Sequence, residues 1–116
     1  MKTEQEIFWS STWGNSYSDR NPKTNYKLFF KNVISKTKKV NSVFEIGTNI
    51  GLNLDTLKKI KPKLKTNGIE LNTYAFRKCF QKGHQVSNGS IFDLKVKNKF
   101  DLVFTCGVLI HLNPKK

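Results

Sequence analysis

The chain has 116 residues and a formal net charge of +13, which limits it to one small domain. It contains no apolar run long enough to cross a membrane and no signal-type apolar core behind its polar start, Met1-Lys2-Thr3-Glu4-Gln5-Glu6, so a cytoplasmic protein is expected. Cys79 and Cys106 belong to no C-x-x-C pair and form no metal spacing with His84 or His111; reduced, partly buried thiols and no metal site are expected.

The charge invites a nucleic-acid partner, but its make-up argues against one. Arg20 and Arg77 are the only arginines, and Arg is the better reader of phosphate and base edges. No aromatics interleave the runs Lys36-Thr37-Lys38-Lys39 and Lys58-Lys59-Ile60-Lys61-Pro62-Lys63-Leu64-Lys65. A solvated lysine surface is the simpler reading. Acids are scarce, eight in all, so their positions carry information.

Residues 1–22 place Ile7, Phe8, Trp9, Trp13 and Tyr17 along one side of an irregular helical arm. Asn21-Pro22 marks the next helix start. Residues 23–36 read as a helix with Tyr26, Phe29, Phe30, Val33 and Ile34 on one face. The division expected is a helical arm over 1–36 and an α/β part over 37–116.

A first strand is expected at about 42–46, and a helix from about 51 to 60 that stops before Pro62. A second strand follows at about 65–70. Asn72 should cap a helix containing Tyr74, Ala75, Phe76, Cys79 and Phe80, closed by Gly83. His84-Gln85-Val86 reads as a short third strand, 87–99 as a loop, and Phe100-Asp101-Leu102-Val103-Phe104-Thr105 as a fourth strand. Strands alternating with helices imply an α/β fold with a parallel, doubly wound sheet.

The most informative stretch is Val43-Phe44-Glu45-Ile46-Gly47-Thr48-Asn49-Ile50-Gly51. An apolar strand ends in an acid, turns through two glycines and enters a helix. Such a turn points backbone N–H groups and a helix N-terminus at whatever lies above the strand end. Nineteen residues beyond Gly51, Glu70 closes the second strand, where an acid can accept hydrogen bonds from a ribose diol. These features describe a nucleoside-cofactor site at the carboxyl edge of the sheet. A dinucleotide frame G-x-G-x-x-G read from Gly47 fails at Asn49 and Leu52, which excludes the usual NAD fingerprint.

The frame that does fit, E-x-G-x-x-x-G, resembles the first motif of class I S-adenosylmethionine-dependent methyltransferases, with Asn49 in place of the middle glycine. Asn is apt there because it tolerates left-handed backbone angles. The likeness extends to Phe8-Trp9, Trp13-Gly14-Asn15-Ser16-Tyr17, Arg20-Asn21, Gly68-Ile69-Glu70-Leu71-Asn72, Gly89-Ser90-Ile91-Phe92-Asp93 and Phe100 through Pro114. With these blocks the chain resembles the pseudaminic acid biosynthesis-associated methylases. The resemblance implies the N-terminal part of a Rossmann-like methyltransferase domain, since that family continues well past Asn113-Pro114.

It further implies S-adenosyl-L-methionine as cofactor and a small molecule, a sugar or nonulosonic-acid precursor, as methyl acceptor. Gly47 and Gly51 would let backbone approach the methionine portion, with Thr48 and Asn49 lining the turn. Glu45 would orient the turn or the cofactor ammonium, and Glu70 would take the ribose. Ser90 and Ile91 would contact adenine; Cys106 and Gly107 would lie beside the methyl donor. His111 is the one histidine in a catalytic place, as a base or as a satisfied histidine in a helical turn. Tyr17 and Arg20 would fold over the site to meet a carboxylate or an anionic sugar, or simply pack. Asp93 is a turn residue or a ligand, and Asp101, at the opposite end of its strand, is structural. An RNA or protein methyltransferase and a non-catalytic cofactor-binding remnant are the alternatives. The outer edge of the fourth strand predicts self-association.

Overall fold

The computed structural model describes residues 27–36, 39–95 and 98–106. Within them the order is α1 (Lys27–Lys36), β1 (Ser42–Ile46), α2 (Leu52–Ile60), β2 (Lys65–Glu70), α3 (Thr73–Gln81), β3 (Gln85–Asn88), a 3-10 turn (Ile91–Asp93) and β4 (Leu102–Thr105). The four strands form one sheet in the order β3-β2-β1-β4, and all three pairings are parallel. The chain therefore winds outward from β1 through β2 to β3, then returns across β1 to place β4 on its other side. The order reverses between β1 and β4, with Ile46 opposite Thr105.

The local reasons are those of the sequence. β1 is central, and Val43, Phe44 and Glu45 are all buried, as an apolar strand covered on both faces requires. Successive side chains alternate. Val43 joins Leu54, Leu57, Leu64, Cys79, Val86, Val40 and Phe30 in the main core. Phe44 points the other way, its ring 5.0 Å from that of Phe100. Glu45 follows Val43 by two and so lies on the α2 side.

α3 begins as expected: the Asn72 side chain accepts from the Ala75 N–H at 2.8 Å. It ends at Lys82 and Gly83, the latter at φ 94°.

The amino end of the sheet is closed by Asp101. Its Oδ2 accepts the N–H groups of Asn41 and Ser42 at 2.8 and 3.2 Å, and its own N–H donates to Ser42 Oγ. The structural role expected of this acid is what it has. Lys61 Nζ donates to the carbonyl of Val40 and to Asn41 Oδ1, tying the end of α2 to the entry of β1.

A polar network runs through the helix-covered face. Buried His84 meets Thr66 Oγ1 through Nδ1 and Asp55 Oδ1 through Nε2, both at 2.7 Å. Lys82 Nζ completes it at 2.8 Å from Asp55 Oδ2. One histidine thereby joins β2, α2 and the lead-in to β3.

Three boundaries differ from expectation. β3 runs two residues further than His84–Val86 suggests and starts one later, because its ladder with β2 begins at Gln85 opposite Asn67 and ends at Asn88 opposite Glu70. β4 is shorter than 100–105, since Phe100 and Asp101 are spent on packing and on the clamp at Asn41–Ser42. In α1, Phe29 is exposed and the buried stripe is Phe30 with half-buried Val33 and Ile34. Phe30 instead packs edge-on against Phe104, 5.4 Å away. The arm residues 1–26, including the helix start at Asn21-Pro22, lie outside the described residues.

Candidate functional site

The carboxyl ends of β1, β2 and β4 converge on the turn from Gly47 to Gly51. Its backbone is left-handed at Gly47 (φ 78°), Asn49 (φ 53°) and Gly51 (φ 92°). Two of these are glycines, and the third is the asparagine whose tolerance of such angles fits this position. The turn is pinned to β2 because the N–H groups of Gly47 and Thr48 both donate to the Ile69 carbonyl, at 2.8 and 3.2 Å. Gly51 is the N-cap of α2 and supplies no side-chain cap. The first-turn N–H groups of α2 thus face the carboxyl edge without a competing side-chain acceptor from that residue.

Gly68 explains how the turn sits so close to β2. A Cβ there would lie 2.2 Å from Thr48 Cγ2 and 2.6 Å from the Glu45 carbonyl oxygen. Only a glycine lets the turn fold down onto the second strand. Gly51 is similarly confined, with a Cβ position 2.9 Å from Cys79 Sγ and 3.3 Å from His84 Cδ2.

Glu70 is half-buried at the end of β2. Its Oε1 accepts the Asn49 N–H and its Oε2 the Asn72 N–H, both at 2.7 Å. Burial raises its pKa, against the lowering effect of the backbone N–H groups of Asn72, Asn49 and Leu71. Glu70 thus has a part that sequence did not suggest: it ties the glycine turn to the N-terminus of α3. Each carboxylate oxygen keeps acceptor capacity beyond these single bonds.

Glu45 is 1% exposed. Its Oε2 accepts from Asn53 Nδ2 at 2.8 Å, and its Oε1 is buried with no hydrogen-bond partner among the described residues. Burial pushes its pKa up to about 8; the Asn53 bond lowers it and the nearby Glu70 raises it further. A carboxyl with one orphaned oxygen in such a place is costly unless a donor or cation meets it. That orphan is the feature of the site that a ligand ammonium would satisfy.

Cys106 follows β4 and is half-buried. Burial raises its thiol pKa, and Glu45 adds to this while the Asn53 side chain lowers it. A protonated thiol is therefore what stands at this strand end. Thr48 is turned inward: it is 2% exposed and its hydroxyl donates to the Asn49 carbonyl at 3.1 Å. It shapes the turn, its N–H donating to the Ile69 carbonyl and its own carbonyl accepting from the Gly51 N–H. Ser90 is buried and caps the 3-10 turn, its Oγ accepting the Phe92 N–H at 3.1 Å; Ile91 beside it is half-buried. Asp93 is exposed, with its N–H donating to the Ser90 carbonyl.

The structure thus gathers Glu45, Gly47, Asn49, Gly51, Glu70 and Cys106 at one edge. Gly107, His111, Tyr17 and Arg20 lie outside the described residues. Two contributors went unread in the sequence: Asn53, which holds Glu45, and Gly68, which seats the turn. The signal for Asn53 is its spacing, eight residues after a strand-end acid and in the first turn of the following helix.

No protein-family model and no curated protein sequence matches this chain. Solved structures do. The sugar N-methyltransferase KedS8 from Streptoalloteichus is similar at TM-score 0.63 and 18% identity, over 84% of this chain and 40% of that one. The plantazolicin methyltransferase BpumL, in complex with a pentazolic desmethylPZN analog and SAH, gives TM-score 0.66 and 18% identity over 86% and 46%. A candidate S-adenosyl-L-methionine-dependent methyltransferase from Methanococcus maripaludis gives 0.73 and 11% over 98% and 56%. The chain therefore spans about half the length, or less, of these proteins. Its parallel sheet and flanking helices are the Rossmann-like fold of the S-adenosylmethionine-dependent methyltransferases.

Proposed function

We propose that this chain belongs to an S-adenosylmethionine-dependent methyltransferase acting on a small molecule, with a sugar or nonulosonic-acid precursor such as one of the pseudaminic acid pathway as the acceptor class. The observation that carries the reading is the orphaned Oε1 of Glu45 beside a left-handed turn, with Glu70 one strand away. A cofactor with an amino-acid head and a ribose needs these two groups, a cation acceptor and a diol acceptor, at adjacent strand ends. The residues fit it: Glu45 toward the ammonium, Gly47 to Gly51 along the methionine portion, Glu70 toward the ribose, Ser90 and Ile91 toward the base. When bound, the sulfonium supplies a methyl group already activated for transfer. The task of the protein is to orient the acceptor and exclude water. In this reading Cys106 would stand beside the methyl donor; Gly107 beside it, His111 as a base for the acceptor, and Tyr17 and Arg20 as a cover are proposed from the sequence alone.

The distribution of charge supports a small acceptor over RNA. Lys58 and Lys59 end α2, Lys61 and Lys63 lie in the loop after it, and Lys65 opens β2. Lys39 precedes β1. All are at the amino end of the sheet, away from Glu45 and Glu70, so a polyanion held there would not reach the site.

Calorimetry on the chain tests the reading. S-adenosylhomocysteine should bind and NAD should not. Glu70→Ala should weaken that binding by about one to two orders of magnitude, the loss expected for hydrogen bonds to a charged group. Tighter binding of NAD, or unchanged affinity in the variant, would overturn the assignment. A screen of nucleotide-linked and free sugars for methyl transfer addresses the acceptor.

A further inference from the structure

We propose that Asn53 is a positioning residue of the site: by donating to Glu45 Oε2 it fixes that carboxyl so that Oε1 alone is presented to the cationic end of the ligand. The inference rests on the cofactor reading above but concerns a residue and a linkage which that reading does not contain.

The geometry is specific. Glu45 leaves β1 on the side covered by α2, and Asn53 is in the first turn of that helix. Its amide spans the junction with Nδ2 at 2.8 Å from Oε2. One amide therefore ties the end of β1 to the helix that begins above it. It gives Glu45 its one side-chain hydrogen bond among the described residues and leaves Oε1 without any. Without this bond the carboxyl plane is free to tilt, and neither oxygen is held in this direction.

The surroundings of Glu45 make the arrangement sensitive to protons. Glu70 faces it from β2, Cys106 from the end of β4 and Cys79 from α3. Burial raises all four. The acid of α2, Asp55, is engaged by His84 and Lys82. Among the described residues, no lysine or arginine acts on Glu45. The Asn53 bond is the interaction that favours its charged form against burial and Glu70. A ligand ammonium would complete the removal of the Glu45 proton, so ligand affinity should rise as pH climbs toward 8. Removing Asn53 should push that rise to higher pH.

Two measurements test this. In the free protein, the Glu45 carboxyl is followed by carbon NMR in the unaltered chain, Asn53→Leu and Asn53→Gln, with Glu45→Gln to assign the signal. The midpoint should move up by about one pH unit in Asn53→Leu and return toward the original value in Asn53→Gln. S-adenosylhomocysteine affinity, measured from pH 6 to 9 on the same proteins, should be about tenfold weaker at pH 7 in Asn53→Leu, and the gap should narrow toward the alkaline end to the part owed to lost orientation. In a Glu45→Gln background the Asn53 substitution should leave no pH-dependent difference. A Glu45 midpoint unmoved by Asn53→Leu, or an affinity that Asn53→Leu leaves unchanged from pH 6 to 9, would overturn the proposal. Absence of S-adenosylhomocysteine binding by the unaltered chain overturns the cofactor reading instead, and the carboxyl titration still decides the role of Asn53.

Discussion

Glu45 is a charge-bearing residue in the least favourable place for a charge, and this has a consequence for stability. Its folded pKa is about 8 against an ordinary value of 4.5. Between these pH values the folded chain holds a proton that the unfolded chain has released. The contribution to stability is full below 4.5 and is lost as pH rises through 8. Each pKa unit corresponds to about 1.4 kcal/mol, so even part of this shift is measurable. Glu45→Gln, which has no proton to lose, should be more stable than the unaltered ligand-free chain at pH 8–9 and close to it near pH 5. Thermal unfolding across this range checks it: parallel melting curves at all pH values would mean that Glu45 is already ionised or hydrated when folded. The same substitution should weaken cofactor binding, a stability–function opposition expected where a site holds a group poised for a ligand.

At the scale of elements, the seating of the glycine turn on β2 depends on Gly68. A methyl group there would meet the backbone oxygen of Glu45 as well as Thr48 Cγ2, both inside 3.0 Å. Side chains can turn aside, but the carbonyl belongs to the central strand and cannot. Gly68→Ala should cost about 1–3 kcal/mol, the range of overpacked interiors, and should lift the turn off the Ile69 carbonyl. Adding Thr48→Ser removes the nearer clash and leaves the second, so it should restore part of the stability. Chemical denaturation of the two variants measures this. Full stability in Gly68→Ala alone would show that turn and strand can separate freely.

Across the whole molecule, β4 presents an edge. It pairs with β1 on one side and with no strand on the other among the described residues, and Val103 on it is 54% exposed. An apolar edge of this kind is a template for pairing between chains, while the net charge of +13 holds copies apart. The two effects differ in their response to salt, which screens the repulsion and leaves strand pairing intact. Sedimentation of the chain should therefore show self-association that grows with concentration and with salt. A monomer at all concentrations and salt levels would mean that the edge is covered. Nucleic-acid binding, if driven by the lysine surface, should change in the opposite direction and vanish as salt rises.

Whatever depends on neighbouring residues was legible in the sequence. The apolar run into Glu45 and the glycines at 47 and 51 specify a strand, a left-handed turn and a helix start. Asn49 is legible as the residue that tolerates φ 53°, and Asn72 as a cap because its partner is three residues away. The alternation of strands and helices was enough for a parallel sheet. Tertiary structure alone decided what rests on contacts between distant residues. That Asn53 holds Glu45, that Gly68 yields space to Thr48, that Glu70 receives N–H groups from two different turns, and that His84 is spent on Thr66 and Asp55 all require the register of β1 against β2 and the closeness of α2 to both. Hydrophobic periodicity fixes which face of an element is buried, but it carries no information on which polar group will meet which across the interface.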